Sequence, residues 1–270
     1  MRFRNRFLIG RCLLVIAVVL RCSTLAFAGN ADTVVDRASQ QLTGFLEQMS
    51  DVKCTEHVTQ VKLDKNGHTA YVEDSSFDYL VLLQGSGDEL LLNESRLADS
   101  HNEQRNKKNV PLLITNGFSM LMLVFHPYYR NSFDFQAMPD ETISGRHLAV
   151  LRFTHIPGTR TPAALAVRGR EFPLELTGTA WIEPETGQVA RLQIGLAKDM
   201  SDVGLKSLAA EIDYAPIQLP GWNQTYRFPS VATVEVETLR QRWRNVHHFT
   251  HYKRFVVDTS SSVVNPEPNQ

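Results

Sequence analysis

Features that mark many enzymes and redox proteins are scarce or missing in this 270-residue sequence. Cysteine occurs three times, at Cys12, Cys22 and Cys54. There is no G-x-S-x-G nucleophile motif and no glycine-rich phosphate loop, so neither a serine-hydrolase elbow nor a P-loop is indicated. The apolar run Cys12–Leu20 is shorter than the roughly 20 apolar residues that a transmembrane helix requires. These absences leave no recognisable catalytic motif.

The first 28 residues have the pattern of a secretory signal peptide. The first eleven residues carry four arginines, an apolar run follows, and Ala26-Phe27-Ala28 provides an A-x-A cleavage site. We predict that residues 1–28 are a signal peptide and that the protein is exported, to the periplasm or the extracellular space, with no transmembrane segment after cleavage. Lipid attachment at Cys22 is disfavoured because Arg21 stands where such signals carry a small residue.

Loss of the signal peptide changes the charge and the thiol content of the chain. Five of the 28 basic residues and none of the 29 acidic residues lie in residues 1–28, which leaves a formal net charge of −6. An acidic chain without a basic stripe is a poor partner for nucleic acid, so we expect none. Cys54 would then be the single cysteine, which excludes an intramolecular disulfide. We predict no cofactor.

The mature chain is predicted to begin with one amphipathic helix. Between Ala31 and Met49 apolar residues recur every three or four positions, and Asp32 can cap the start. The apolar face that this pattern predicts consists of Val34, Val35, Ala38, Leu42, Phe45, Leu46 and Met49.

Most of the remaining sequence alternates with a period of two, which predicts antiparallel strands. Asp64–Gly67 has the composition of a hairpin turn. Ala98–Asn109 is polar and predicts a solvated loop or helix, and Pro111–Phe125 is apolar and predicts a buried helix that ends before Pro127. The predicted strands are Val52–Leu63, His68–Glu73, Phe77–Gln84, Glu89–Arg96, Leu174–Ile182, Ala190–Leu196, Leu208–Tyr214, Ala232–Val236 and Thr238–Val257.

Two groups of residues have side chains that metal binding or catalysis can use: His247, His248 and His251, and Cys54 with His57. His247 and His251 on a strand would lie about 13 Å apart at roughly 3.3 Å per residue, so we predict solvated or cross-strand histidines and no metal site. Cys54 and His57 fall on opposite faces of one strand, which predicts an inert thiol. We therefore predict a protein that is not an enzyme. The loop Ile156–Pro173 offers Arg160, Arg168 and Arg170 to an anionic group; a solvated basic surface is the alternative.

The order of elements and one hairpin resemble a known superfamily. A helix, a meander, an apolar helix and long strands are followed by the hairpin Trp181-Ile182-Glu183-Pro184-Glu185-Thr186-Gly187-Gln188-Val189. This arrangement resembles the LolA-like lipoprotein-carrier superfamily. The stretches Phe125-His126-Pro127-Tyr128-Tyr129, Arg168-Gly169-Arg170 and Trp243-Arg244-Asn245 are similar to a branch of uncharacterised exported bacterial proteins. The resemblance implies an α+β fold, mainly antiparallel β: a strongly curved incomplete barrel with the N-terminal helix and a short apolar helix packed on the concave side. It covers residues 31–259, and residues 260–270 form a polar tail.

By this resemblance the protein binds a lipid or lipoprotein acyl chain in an apolar cavity. The apolar helix and the inward-facing strand positions predict the ligand-binding residues Phe118, Met120, Met122, Phe125, Leu176, Ile182, Leu192 and Ile194. Two other hypotheses stay open. An envelope protein-interaction module would use an exposed patch with Trp181 and the arginine loop. An enzyme of unrecognised type would bring His126, His155 or Asp134 together in a cleft.

Overall fold

The computed structural model describes residues 31–49, 52–84, 91–98, 115, 117–167 and 169–254. The predicted signal peptide, the polar tail and nearly all of the predicted polar segment after Ala98 lie outside the described residues. For Phe118, the backbone is described and the side chain is not.

Helix α1 spans Ala31–Met49, the range that the periodicity predicts. All seven residues of its predicted apolar face are buried, from 2 % exposed at Ala38 to 6 % at Val34. The helix packs this face against the sheet, because burying an apolar stripe is the main source of stability for a helix of this length.

In the described part of the chain, twelve strands form a ten-stranded antiparallel sheet and a separate two-stranded hairpin. The large sheet has the order β3-β2-β1-β12-β11-β10-β9-β8-β5-β4, and β6 pairs with β7. The strands are β1 (Val52–Leu63), β2 (Thr69–Gln84), β3 (Leu91–Ala98), β4 (Phe133–Ile143), β5 (Arg146–His155), β6 (Ala164–Val167), β7 (Arg170–Pro173), β8 (Leu176–Ile182), β9 (Val189–Leu196), β10 (Leu205–Ile217), β11 (Tyr226–Thr238) and β12 (Arg242–Arg254).

The first and last of the described strands lie side by side in the sheet. In the antiparallel β1–β12 pair, Val52 lies opposite Arg254 and Leu63 opposite Arg242. Strands β3 and β4 are the two edges and do not pair with each other in the described part of the chain, so the sheet does not close. The predicted fold class, an α+β incomplete barrel of mainly antiparallel strands, is confirmed.

An apolar helical segment precedes β4, as predicted, but it is a 3₁₀ helix. It spans Phe118–Phe125 and ends at His126, which adopts an extended conformation ahead of Pro127. Apart from Ser119 its residues are apolar, and the six with described side chains, 120–125, are all buried. A one-turn helix α2, Pro127–Arg130, follows it.

Several details correct the sequence-based expectations. The predicted strands His68–Glu73 and Phe77–Gln84 are one continuous strand, β2, because Asp74 to Ser76 stay in register opposite β1. Strands β4 and β5 were not predicted. The segment predicted as a loop, Ile156–Pro173, contains the β6–β7 hairpin.

The core lies between the sheet and the helices. A single cluster of buried apolar residues joins α1, the 3₁₀ helix and strands from β1 and β2 to β11 and β12. A second, small cluster on the opposite face holds Leu148, Val150, Trp181 and Ala190. Within the described ranges, none of the helices has both the length and the hydropathy that crossing a membrane requires.

Candidate functional site

The candidate site is the sheet face that α1 and the 3₁₀ helix cover; we call these two helices together the cover. Aromatic side chains form its centre. Phe45 of α1 packs edge-on against Phe228 of β11, with ring centroids 5.0 Å apart. Phe125 of the 3₁₀ helix stacks on Phe135 of β4 at 5.3 Å. The cover therefore fills the face that the sequence predicts as a ligand cavity.

The structure brings the predicted ligand-binding residues together in one core. Seven of them have described side chains, each at most 5 % exposed: Met120, Met122, Phe125, Leu176, Ile182, Leu192 and Ile194. The side chain of Phe118 lies outside the described residues. Whether any of the eight contacts a ligand stays a prediction, since each described one contacts protein in this closed arrangement.

A small cavity remains between the cover and the sheet. Its volume is about 20 Å³, and it is lined by Leu42 and Phe45 of α1, Met122 and Phe125 of the 3₁₀ helix, and Val189 of β9. This is room for about one water molecule. An acyl chain needs several times more space, so it can enter only where the cover moves.

Apolar packing dominates the contact between the cover and the sheet in the described part of the chain. Among the described residues, no backbone–backbone hydrogen bond joins α1 to a strand. The Arg37 guanidinium donates to the carbonyl oxygen of Pro184, Asp36 pairs with Arg130 of α2 at 2.6 Å, and a backbone hydrogen bond ties Met122 to the buried hydroxyl of Tyr214. Side-chain packing provides most of the attachment.

The β8–β9 hairpin, which carries the sequence resemblance, is the docking point of α1. Gly187 sits against the helix backbone with φ of 73°, and a Cβ atom there would lie 2.5 Å from the Arg37 carbonyl oxygen. Beneath the turn, the buried Arg227 guanidinium donates to Glu183 and, at 2.7 Å, to the Tyr214 carbonyl. The hairpin is thereby fixed to β10 and β11, and the helix rests on the hairpin.

A charged cluster lies at the β1–β12 end of the covered face. Both Nε and Nη2 of Arg96 donate to the carboxylate of Glu56, which is 0 % exposed. His247 Nδ1 lies 2.8 Å from Glu56 Oε1, and His247 Nε2 lies 2.7 Å from Thr115 Oγ1. Asn245 Nδ2 donates to the same Thr115 oxygen at 3.2 Å.

This cluster has the order hydroxyl, imidazole, carboxylate that nucleophilic enzymes use, but Thr115, His247 and Glu56 are each engaged in hydrogen bonds within it. Burial opposes ionisation of Glu56, yet hydrogen bonds from Arg96 and His247 outweigh it and hold the pKa of that carboxyl below its ordinary value. Thr115 is 6 % exposed and bonded on both sides. We interpret the cluster as a structural network that anchors the chain ahead of the 3₁₀ helix to β12.

The histidines of β12 differ in their exposure. His247 faces inward, whereas His248 and His251 are exposed. Within the described ranges, no group of three or more His, Cys, Asp or Glu side chains is placed to hold a metal ion. Cys54 is buried and His57 is exposed on the opposite face. Burial raises the pKa of the Cys54 thiol to about 12, as expected for an inert cysteine.

The enzyme hypothesis and the interaction-module hypothesis depend on residues that lie in different parts of the structure. His126 caps α2 by accepting from the Tyr128 N–H at 3.2 Å, and His155 Nε2 lies 3.0 Å from the Arg160 carbonyl oxygen. In the described part of the chain, no hydrogen bond links His126, His155 and Asp134. Trp181 is 8 % exposed and donates to Glu141 at 3.0 Å, so it forms no exposed patch.

Sequence reasoning missed the charged cluster, although a signal was present. In β1 the inward parity comprises Val52, Cys54, Glu56, Val58 and Gln60, so Glu56 is a carboxylate in an apolar series. Asn245 and His247 occupy the equivalent inward parity of β12 between Trp243 and Phe249. Polar groups on a buried face require partners, and that requirement predicts a network across the two strands.

Comparison with known proteins yields structural matches without sequence matches. No family model and no curated protein matches the chain. One similar crystal structure is a DUF1329 family protein from Desulfovibrio piger ATCC 29098, with 11 % identity and a TM-score of 0.44, covering 86 % of this chain and 95 % of that chain. Another, from Vibrio parahaemolyticus, is described as an outer membrane lipoprotein-sorting protein domain. It has 9 % identity and a TM-score of 0.37, covering 87 % of this chain and 96 % of that chain.

Proposed function

We propose that the protein is an exported, non-enzymatic binder of a lipid or lipoprotein acyl chain, which occupies the covered face after the cover moves. One observation supports this proposal: the sheet turns a broad apolar face towards the cover. Among the described residues, no backbone–backbone hydrogen bond joins helix α1 of the cover to a strand. Such a face can exchange one apolar occupant for another, because hydrophobic contacts are not directional.

The composition of the 3₁₀ helix supports an exchangeable contact. Met120 and Met122 bring two flexible, polarisable thioethers to the face, and such side chains adapt to apolar partners of different shape. A 3₁₀ helix of eight residues is longer than most, and its hydrogen-bond geometry is poorer than that of an α-helix. The segment therefore has less intrinsic stability to lose when it moves.

Lipid extraction and native mass spectrometry of the purified mature chain test the proposal. We expect one lipid or acyl chain per protein, and saturable fluorescence enhancement of an acyl probe. No extracted lipid together with no probe response would contradict the proposal. The alternative interaction module has no comparable support, since Trp181 is buried on the opposite face.

A matched pair of variants tests whether the cover must move. Gly187→Ala places a methyl group against α1, whereas Gly145→Ala, at the β4–β5 turn, has a similar φ and open space around its Cβ. We expect Gly187→Ala to take up the probe faster than Gly145→Ala and the wild type. Equal uptake rates in all three proteins would show that α1 does not control access.

A further inference from the structure

A second pocket, which we call the Arg160 pocket, lies directly beside the end of the 3₁₀ helix. It has a volume of about 790 Å³ and opens to solvent. The polar and aromatic side chains around it are His126, Tyr128, Asn131, Ser132, Thr159 and Arg160. None of its described lining residues is Asp or Glu, so the Arg160 charge dominates the pocket.

The Arg160 guanidinium is positioned without an anionic partner. It lies over the Tyr128 ring, 4.4 Å from the centroid, in cation–π geometry. Several other arginines of the protein pair with carboxylates, as Arg191 does with Asp213 at 2.6 Å. Within the described ranges, no carboxylate oxygen lies within 4.0 Å of the Arg160 guanidinium nitrogens. An exposed guanidinium stacked on an aromatic ring keeps its N–H donors available to a planar oxyanion.

The backbone under Arg160 is fixed, which pre-organises this side chain. The Ile156 N–H donates to the Ser132 carbonyl at 2.8 Å, and Thr159 Oγ1 donates to the Ile156 carbonyl at 2.6 Å. The Tyr128 ring packs edge-on against Tyr129 with centroids 4.8 Å apart. A loop held at both ends loses little conformational entropy when a ligand binds.

The Arg160 pocket and the covered face meet at consecutive residues. Phe125 lines the small apolar cavity, and His126, the next residue, lines the Arg160 pocket. Burial lowers the pKa of His126 below its ordinary value, so its ring is neutral at pH 7 and adds no positive charge to that of Arg160. An amphipathic molecule with its chain in the covered face would present its polar end at this junction.

We propose that the Arg160 pocket binds an anionic oxygen group, a phosphate or a carboxylate, and that it holds the charged end of the ligand whose apolar chain enters the covered face. The second half of this proposal rests on the proposed acyl-chain binding; the first half, an anion site at Arg160, does not. The same chemistry would also accept free phosphate.

Two fluorescent probes with the same acyl chain distinguish binding of the anionic group at Arg160 from binding of the acyl chain. Parinaric acid carries a carboxylate at pH 8, and its methyl ester carries none. We expect the wild type to bind the acid more tightly than the ester. Arg160→Gln should weaken binding of the acid by about tenfold or more, since a charge-assisted hydrogen bond contributes about 1.5–3 kcal/mol, and should change binding of the ester less than about twofold.

The controls use a second exposed arginine and a conservative change. Arg152 is exposed on β5 outside the Arg160 pocket, so Arg152→Gln should leave both probes unaffected. Arg160→Lys keeps the charge and should restore part of the affinity for the acid. Equal binding of the acid by the wild type and Arg160→Gln, or equal weakening of acid and ester, would overturn the proposal.

A phosphate titration distinguishes failure of this proposal from failure of the acyl-chain proposal. Inorganic phosphate added to the ¹⁵N-labelled wild type should shift the backbone amide signals of residues 158–160, and these shifts should be absent in Arg160→Gln. If phosphate produces the shifts but neither probe binds and no lipid is extracted, the anion site stands and acyl-chain binding is refuted. If phosphate produces no shift, the anion site is refuted whatever the probes do.

Discussion

Replacing Gly187 by alanine tests whether the β8–β9 hairpin holds α1 on the sheet. The added Cβ would lie 2.5 Å from the Arg37 carbonyl oxygen and 2.9 Å from the Ala38 nitrogen. These are backbone atoms of a helix, so no change of rotamer can relieve the contact. Non-bonded carbon contacts have their optimum near 3.5–4.0 Å, so the helix would have to retreat by about 1 Å.

The expected loss of stability has two parts. Alanine at φ of 73° costs about 1 kcal/mol, because a side chain disfavours the left-handed region. Displacing α1 adds an overpacking cost of about 1–3 kcal/mol, since a gap of this size forfeits a quarter to a half of the dispersion attraction at the helix face. Gly187→Ala should therefore destabilise the protein by about 2–4 kcal/mol.

Gly145→Ala isolates the backbone part of this effect. Its φ is 77°, and no heavy atom lies within 4 Å of the added Cβ, so about 1 kcal/mol of destabilisation is expected. Urea unfolding followed by tryptophan fluorescence gives both values, since all three tryptophans are buried in the folded protein. If the two variants differ by less than about 0.5 kcal/mol, the close approach of Gly187 to α1 does not stabilise the protein, and the docking role assigned to the hairpin is wrong.

Three further predictions concern the interior. Glu56→Gln should destabilise the protein by about 3–5 kcal/mol at pH 7, because it removes the buried carboxylate that both Arg96 and His247 contact and leaves Arg96 with Glu94, 3.3 Å away, as its carboxylate partner. The low pKa of Glu56 contributes stability that is complete above the ordinary pKa near 4.5 and is lost as the pH falls through the pKa of the folded state. The free energy of unfolding of this variant in urea should therefore depend less steeply on pH in that range than that of the wild type. An unchanged pH dependence would contradict the role of the carboxylate. Phe125→Ala, at a side chain that is 0 % exposed, should lower stability by about 3–5 kcal/mol in thermal or urea unfolding, and a loss below about 1 kcal/mol would show that the 3₁₀ helix is not packed as described. Cys54, with its thiol pKa near 12, should be alkylated at pH 8 at least about a thousandfold more slowly in the folded protein than in urea, and comparable rates would refute its burial.

The parts of the fold that the sequence predicts are those with an undisturbed period. The seven apolar positions of α1 and the alternation in β8 and β9 correspond to faces that are buried in the structure. The missed strands break this rule. In β4, Pro139 interrupts the alternation beside a register shift between Met138 and Glu141, and β5 carries the continuous buried run Leu148–Leu151.

The features that the sequence does not predict depend on distances between segments far apart in the chain. The approach of Gly187 to α1 depends on how the helix crosses the hairpin, which no local pattern encodes. The contact of Glu56 with His247 depends on the register of β1 against β12. Periodicity assigns a residue to a face, but it does not say which residue of a distant strand lies beside it.

The pairing of the first strand with the last also governs the order in which the protein can fold. Because β1 and β12 lie next to each other, every strand between them must be made before the sheet becomes continuous. Such a topology has a high contact order and predicts slow folding. Until Arg242–Arg254 pairs as β12, strands β1 and β11 each expose an unpaired edge that can template association with another chain. A truncation before Arg242 should therefore aggregate rather than accumulate as a stable, shortened domain.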